Sequence, residues 1–432
     1  MQHNENKAFG LWSSVFLGIG SMVGAGIFIV VGQAGAIAGN LLTLSFVLAG
    51  IIALLCGYSL SKLATTYPSR GGIIEYLVHA YAEGAFSGAL GILFYLSQLI
   101  TTAAVAKSFG TYAATYLHGG VTPFHTNSFA LLILGVFVLI NLIGASFVAK
   151  AESTIVIIKL TALSAFTIAA MFFIKTSHLN PTNAPSMNHV FFALGLTFFA
   201  FQGFSVITNS VEDMENPKKI MLKSMILSVV LVGILYLAVS VAVFGTLSLP
   251  EIIQSKDFAL AKAAQPIFGA IGFKIIAATA LLATASAINA TLYAITQISY
   301  TLAKEGTLPD VYERHIFHNT EGLIISALLI VPMILFLDLS QIASIAAIIV
   351  LLIQGFTHIG HLLKIKETHA NIYLVSLAVL GTLGASGFAI YYTSQSIPHF
   401  TLYILLSFVI AFVLEMVLRV MKKRTIKQQV HR

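Results

Sequence analysis

Four glycines, Gly18, Gly20, Gly24 and Gly26, crowd the stretch GIGSMVGAGIF (18–28) inside a long apolar run. Glycine is poorly suited to holding a helix together. A helix that opens here frees backbone groups it would otherwise consume. The amides of Gly24, Ala25 and Gly26 then stand at the N-terminus of the second half-helix, where the dipole suits a carboxylate. A second interruption, FFAFQGFS (198–205), sets Gly203 among aromatic rings with the polar Gln202 and Ser205. A third feature is Lys159, alone in the apolar run STIVIIKLTALSAF (153–166). An ammonium at that depth costs several kcal/mol unless it reaches water or a partner. These features suit binding of an anion such as a carboxylate better than bond-making chemistry.

The elements that must position them are membrane helices. The chain has 432 residues, of which 58% are hydrophobic and only 9% charged. A soluble domain carries roughly 25% charged residues, so this is an all-α polytopic membrane protein. Twelve apolar spans fall at 13–37, 40–63, 86–117, 127–147, 153–174, 188–212, 221–247, 268–302, 321–337, 339–360, 371–393 and 399–420. Each is long enough for a hydrocarbon core of ~30 Å.

With the N-terminus in the cytoplasm, seventeen of the 23 basic residues fall at inner ends or loops. Only Lys175, Lys256, Lys262 and Lys274 fall outside, and Lys107 and Lys159 lie within spans. That bias places both termini in the cytoplasm. The charge of +7 therefore records topology rather than a nucleic-acid partner. The first span is too long, and too soon followed by a second, to be a cleavable signal. Cys56 is the sole cysteine, which excludes an internal disulfide and a cysteine-cluster metal site. The polar stretches 66–84 and 248–266 have helix-like apolar spacing suited to the membrane surface, whereas 176–188 reads as a plain loop.

The two interrupted spans are the first and the sixth. Spans five apart occupy matching positions if helices 1–5 and 6–10 form two repeats, and an odd offset inverts the second. Interrupted spans at matching positions point to a transporter's binding site. Gly20-x-x-x-Gly24 also fits simple close packing of helices.

Four motifs then carry a family resemblance: GSMVGAGIF (20–28), YPSRGGIIEYLVHAYAEG (67–84), GFSVITNSVEDMENPKK (203–219) and SAINATLYAITQISYTLAKEGTLP (286–309). In this order and spacing the chain resembles the amino acid–polyamine–organocation (APC) superfamily of amino acid transporters. The resemblance covers most of helices 1–8; helices 9–12 carry no such motif. It implies a LeuT-type five-plus-five inverted repeat with broken helices 1 and 6, followed by two C-terminal helices. The repeats would be 1–178 and 179–366, with helices 11–12 and the basic tail in 367–432.

It also implies which groups hold the substrate. The carbonyls of Ser21 or Met22, and of Phe199 and Ala200, would take the ammonium of an amino acid, and the amides at Gly24, Ala25 and Gly26 its carboxylate. Phe199 and Phe204 would wall or gate the pocket around Gly203, or else be ordinary lipid-facing or core rings. Gln202, a buried amide that wants a partner, is the more selective candidate. Family members often carry an acid where this chain has Ser205, and Arg where it has Gln297, so proton coupling cannot rest at Ser205.

Lys159 either snorkels to the inner interface or, as the resemblance implies, sits where sodium-coupled relatives of the fold hold an ion. In the second reading it bridges to the Gly20 carbonyl and to hydroxyls at Thr284 or Ser286, and carries the coupled proton. Lys107 reads as a snorkelling side chain near the outer end. No acidic side chain sits at pocket depth to match a cationic substrate, so the expected cargo is a neutral amino acid. The expectation is proton symport in a bacterial inner membrane, with exchange as the rival and no cofactor or metal. An intramembrane enzyme is disfavoured because no carboxylate lies at a span centre and the histidines lie in loops or near span ends.

Overall fold

The computed structural model describes residues 10–422 except 70, 144–145, 181–184, 305 and 397–399. Lys7, Arg70 and the basic residues beyond 422, all assigned above to the inner side, lie outside the described residues.

Long apolar runs with few breakers form helices because the backbone has no other partner in lipid. In chain order they are α1 (Leu11–Met22), α2 (Ala25–Ala38), α3 (Leu42–Thr66), α4 (Ile73–Tyr81), α5 (Ala85–Ala114) and α6 (Pro123–Ile143). Then come α7 (Ser146–Ala170), α8 (Asn188–Phe192), α9 (Leu194–Ala200), α10 (Val206–Asn209), α11 (Pro217–Thr246) and α12 (Leu249–Gln254). The chain closes with α13 (Ala259–Lys304), α14 (Glu321–Phe336), α15 (Leu339–Leu363), α16 (Ile365–Thr368), α17 (Ile372–Ser396) and α18 (Phe400–Lys422).

Among the described residues eight helical stretches are long and apolar enough to cross a membrane: Ala25–Thr66, α5, α6, α11, α13, α15, α17 and the 400–420 part of α18. In Ala25–Thr66 a 3₁₀ turn at Gly39–Leu41 joins α2 to α3. Shorter apolar helices cover Leu11–Met22, Thr154–Ala170 and Glu321–Phe336. The protein is a multi-pass membrane protein. Of these eight, α5 and α15 are the most enclosed, whereas α6 and α18 present most of their surface outward, so the former pair lies well inside the bundle. Hydroxyls buried along the helices donate back to carbonyls one turn earlier, as Thr102 does to Gln98 (2.9 Å) and Thr357 to Ile353 (2.8 Å), which satisfies them without a cross-helix partner.

One local expectation changes, at 66–84, and two features are added. α13 is broken at Gly269, whose φ of +65° only glycine adopts without strain, so a short helix from Ala259 precedes the span placed at 268–302. The stretch 66–84 does not lie along a surface, because Ile73–Val78 of α4 are buried against the bundle. Beyond α13 the chain makes a 3₁₀ turn at Asp310–Glu313 and a two-stranded antiparallel hairpin that pairs His315 with Thr320 and Ile316 with Asn319.

Candidate functional site

The first apolar span is two helices. α1 ends at Met22, Val23 and Gly24 leave the helical path, and α2 restarts at Ala25. Gly24 is the N-cap of α2 and no side chain caps it. The amides of the first turn of α2 therefore stand at the positive end of a helix dipole without a side-chain cap. The sixth span breaks likewise. α9 ends at Ala200, residues 201–205 run through successive turns, and α10 resumes at Val206.

The two breaks lie against each other, and glycine permits it. A Cβ at Gly203 would stand 2.6 Å from the Ser21 carbonyl carbon and 2.7 Å from the Met22 nitrogen. A Cβ at Gly26 would stand 3.0 Å from Ala200 Cα. Ser21, Met22, Gly26, Ala200 and Gly203 are thus gathered at one place, though they lie almost two hundred residues apart in sequence.

The carbonyls there are less free than the sequence implies. The Phe199 carbonyl accepts from the Gln202 amide (3.0 Å). Those of Met22 and Ala200 both lie within reach of the Tyr236 hydroxyl, at 2.7 and 3.0 Å. Among the described residues no hydrogen-bond donor from outside α1 reaches the Ser21 carbonyl. Tyr236 is fully buried on α11, and its ring packs against Phe46 and Phe201. A phenol has one proton to give, so it satisfies one of the two carbonyls at a time. Sequence reading passed over this residue. The available signal was the single tyrosine of a long apolar helix, since buried tyrosine hydroxyls find partners.

Phe199 and Phe204 are both buried rather than lipid-facing, and Phe204 packs edge-on against Phe198 at 6.2 Å. The side-chain oxygen of Gln202 is buried without a partner among the described residues. Tyr112 of α5 donates to the Phe28 carbonyl on α2 (3.2 Å).

Lys159 does not snorkel. It is 1% exposed, and its ammonium donates to the Gly20 carbonyl at 2.8 Å, tying α7 to the last turn of α1. Thr284 and Ser286 are buried on α13, which packs against α7. The Thr284 hydroxyl donates to the Ala280 carbonyl of its own helix (2.7 Å).

Lys107 does not snorkel either. Its buried ammonium donates to the carbonyls of Ile334 and Leu337, both at 2.6 Å. A cation suits these groups because they are the unsatisfied, negative end of α14. Nearby, Gln33 of α2 donates to Asp257 (2.5 Å) and accepts from Ser340 of α15, which in turn accepts from Lys256 (3.0 Å). Asp257 lies in the linker before α13. Burial holds its carboxyl above the usual range, with Lys256 and Gln33 opposing the shift. This network ties α2, the linker before α13 and α15 together.

A groove of about 490 Å³ on the flank between α8 and α17, lined by Asn188, Phe192, Gly384, Gly387, Phe388 and Tyr391, lies away from the breaks. Among the described residues no group of three or more histidine, cysteine or acidic side chains is placed to hold a metal ion.

A multi-pass bundle with two facing helix breaks and an ammonium on one of them has the makings of a solute carrier. The amino acid permease family model matches residues 9–418, and the chain belongs to that family, within the APC superfamily. The protein is 34% identical over 431 residues to the uncharacterized protein MJ0609 of Methanocaldococcus jannaschii, covering 99% of each chain. It is 33% identical over 383 residues to the inner membrane transport protein YbaT of Escherichia coli, covering 88% of each. It is 25% identical over 309 residues to the serine/threonine exchanger SteT of Bacillus subtilis, covering 70% of this chain and 69% of that one. The protein is thus an amino acid transporter and not an enzyme.

Proposed function

We propose that the protein is a proton-coupled symporter of an amino acid with a neutral side chain, working by alternating access around the two helix breaks. The supporting observation is the buried ammonium of Lys159 on the Gly20 carbonyl, 2.8 Å away at the hinge of helix 1. Loss of the proton weakens a charge-assisted bond and loosens α7 from α1, so proton release and hinge motion are linked. Thr284 and Ser286 complete the polar face toward α13. The uncapped start of α2 takes the substrate carboxylate. Ser21 and, once Tyr236 yields them, Met22 and Ala200 take its ammonium, with Phe199 and Phe204 as walls and Gln202 reading the side chain. A buried charge is costly unless matched, and the site residues named here include no carboxylate to match a cationic side chain, which favours a neutral one.

In this reading the chain has twelve spans in a LeuT-type arrangement, with repeats 1–178 and 179–366 and helices 11–12 in 367–432. It lies in an inner membrane with both termini cytoplasmic. Exchange is the rival reading, supported by the similarity to SteT. Uptake of labelled serine, alanine and leucine into proteoliposomes, with and without an inward proton gradient and with and without internal amino acid, separates them. Gradient-driven accumulation into empty vesicles that disappears in Lys159→Ala supports symport. Uptake into preloaded vesicles alone, or accumulation unaltered in the variant, sinks it.

A further inference from the structure

Near the C-terminal end of α15 two histidines share one serine. The Ser59 hydroxyl of α3 lies 2.8 Å from His358 Nδ1 and 2.7 Å from His361 Nδ1, and His361 Nε2 lies 2.8 Å from the Thr368 hydroxyl of α16. Both rings are fully buried although they lie near the end of their span.

The proton count in this chain is constrained. Thr368 Oγ1 sits 3.2 Å from the Ile365 carbonyl, the position from which a threonine donates to its own helix. With its proton on that carbonyl it accepts from His361 Nε2–H; with its proton on Nε2 instead, every bond of the chain runs the other way. A neutral imidazole carries one proton, so in the first case His361 Nδ1 is a lone pair and accepts from Ser59. Ser59, having spent its proton, accepts from His358 Nδ1–H. That leaves His358 Nε2 as a buried basic nitrogen, and among the described residues it has no partner. One turn earlier Gln354 is 1% exposed and has neither its amide oxygen nor its amide nitrogen partnered. Three unpaired polar atoms on adjacent turns meet the requirement of a bound water, two to four polar partners.

We propose that Gln354 and His358 bind a water or hydronium, and that His358, Ser59 and His361 relay its proton to the end of α15, a site separate from Lys159. As a proton bonds to His358 Nε2, His358 Nδ1–H passes to Ser59 Oγ, the former Ser59 proton passes to His361 Nδ1, and His361 Nε2–H leaves to Thr368 Oγ1, which releases its own proton to water. One proton enters and one leaves, neither ring keeps a charge, and the hydrogen bonds end with reversed polarity. Of the elements packed here, α3 brings Cys56, Tyr58 and Lys62, and α4 brings Glu75 and His79, which pair at 3.4 Å, with Tyr76 and Tyr81. α16 adds Lys366 and Glu367, the latter paired with Lys364 at 3.0 Å. α9 has no titratable side chain, α5 offers Tyr95 with Lys107 and Tyr112 toward its far end, and α17 offers only tyrosines. Among the described residues no carboxylate bonds to either ring to hold a proton on it, which suits transfer over storage.

The chain's existence does not depend on symport, but its use does. The test is ¹⁵N NMR of histidine-labelled full-length protein in liposomes, with H358N and H361N to assign the signals, beside uptake assays of Ser59→Ala and Ser59→Thr. The expected result is one Nδ1–H ring lost in H358N and one Nε2–H ring lost in H361N, or the two exchanged where the chain runs the other way. In uptake, Ser59→Ala should slow gradient-driven accumulation at least tenfold while leaving amino acid counterflow intact, and Ser59→Thr should retain both. Identical tautomers in the two rings, or equal losses in both transport modes for Ser59→Ala, overturn the relay. If the unaltered protein shows no gradient-driven uptake, symport fails and the tautomers, with hydrogen–deuterium exchange of the His361 proton lost in Ser59→Ala, decide the relay alone.

Discussion

Replacing Gly203 by alanine tests whether the two helix breaks work as one unit. The added methyl would stand 2.6–2.7 Å from three backbone atoms of Ser21 and Met22, about 0.8 Å inside ordinary contact at 3.4 Å. No flexible side chain lies there to give way, so α1 and the turn after α9 must separate. Overpacking of this kind typically costs about 1–3 kcal/mol, a shift of roughly 5- to 150-fold in whichever conformer holds the breaks together. Gly26→Ala meets Ala200 at 3.0–3.1 Å, closer by only about 0.3–0.4 Å, and belongs at the bottom of that range. Gly135→Ala, in α6 with nothing within 4 Å, is the control and should gain about 0.5–1 kcal/mol from helix propensity. Melting temperature and initial uptake rate, at matched incorporation into liposomes, should fall in the order Gly135→Ala, Gly26→Ala, Gly203→Ala. Wild-type transport by Gly203→Ala would refute the claim that contact between the breaks is functional.

Other perturbations probe the surrounding groups. Tyr236→Phe leaves the Met22 and Ala200 carbonyls without their donor, a loss of about 1–3 kcal/mol for buried acceptors. Substrate should restore more melting temperature to this variant than to the parent, and an equal thermal shift in both counts against competition for the carbonyls. Gln202→Leu should change the order of preference among labelled amino acids; an unchanged profile removes it from the site. Asp257 titrates above its ordinary range because it is buried, so the folded protein binds its proton more tightly than the unfolded chain does. That contribution favours the fold at low pH and is lost as pH rises from the normal carboxylate value through the raised one. Asp257→Asn should flatten the melting curve against pH in that window, and superimposable profiles would exclude the effect.

The resemblance and the composition made much of the architecture legible. Apolar runs fixed where helices lie, since a chain in lipid has little else to form. Glycine clusters at 18–26 and Gly203 in an aromatic setting marked where two of them fail. Lys159 announced itself through the cost of its charge. The kink at Gly269 and the hairpin at 315–320 were not legible, because glycine and polar residues mark a break without giving its geometry. Burial of α4 was missed because an amphipathic helix reads alike whether its apolar face meets lipid or protein.

Partners were decided by the tertiary structure alone. Lys107 and Lys159 look alike in sequence, each a cation in an apolar span. Packing sends one to the carbonyl end of α14 and the other to the Gly20 carbonyl beside the break. Tyr236 and the breaks it spans, and Ser59 with its two histidines, meet only when distant helices are laid together. Sequence determined what each segment could tolerate, since that depends on composition and local period. Which unpaired backbone and side-chain groups satisfy one another depends on helix placement, and that was settled by burial across the whole bundle.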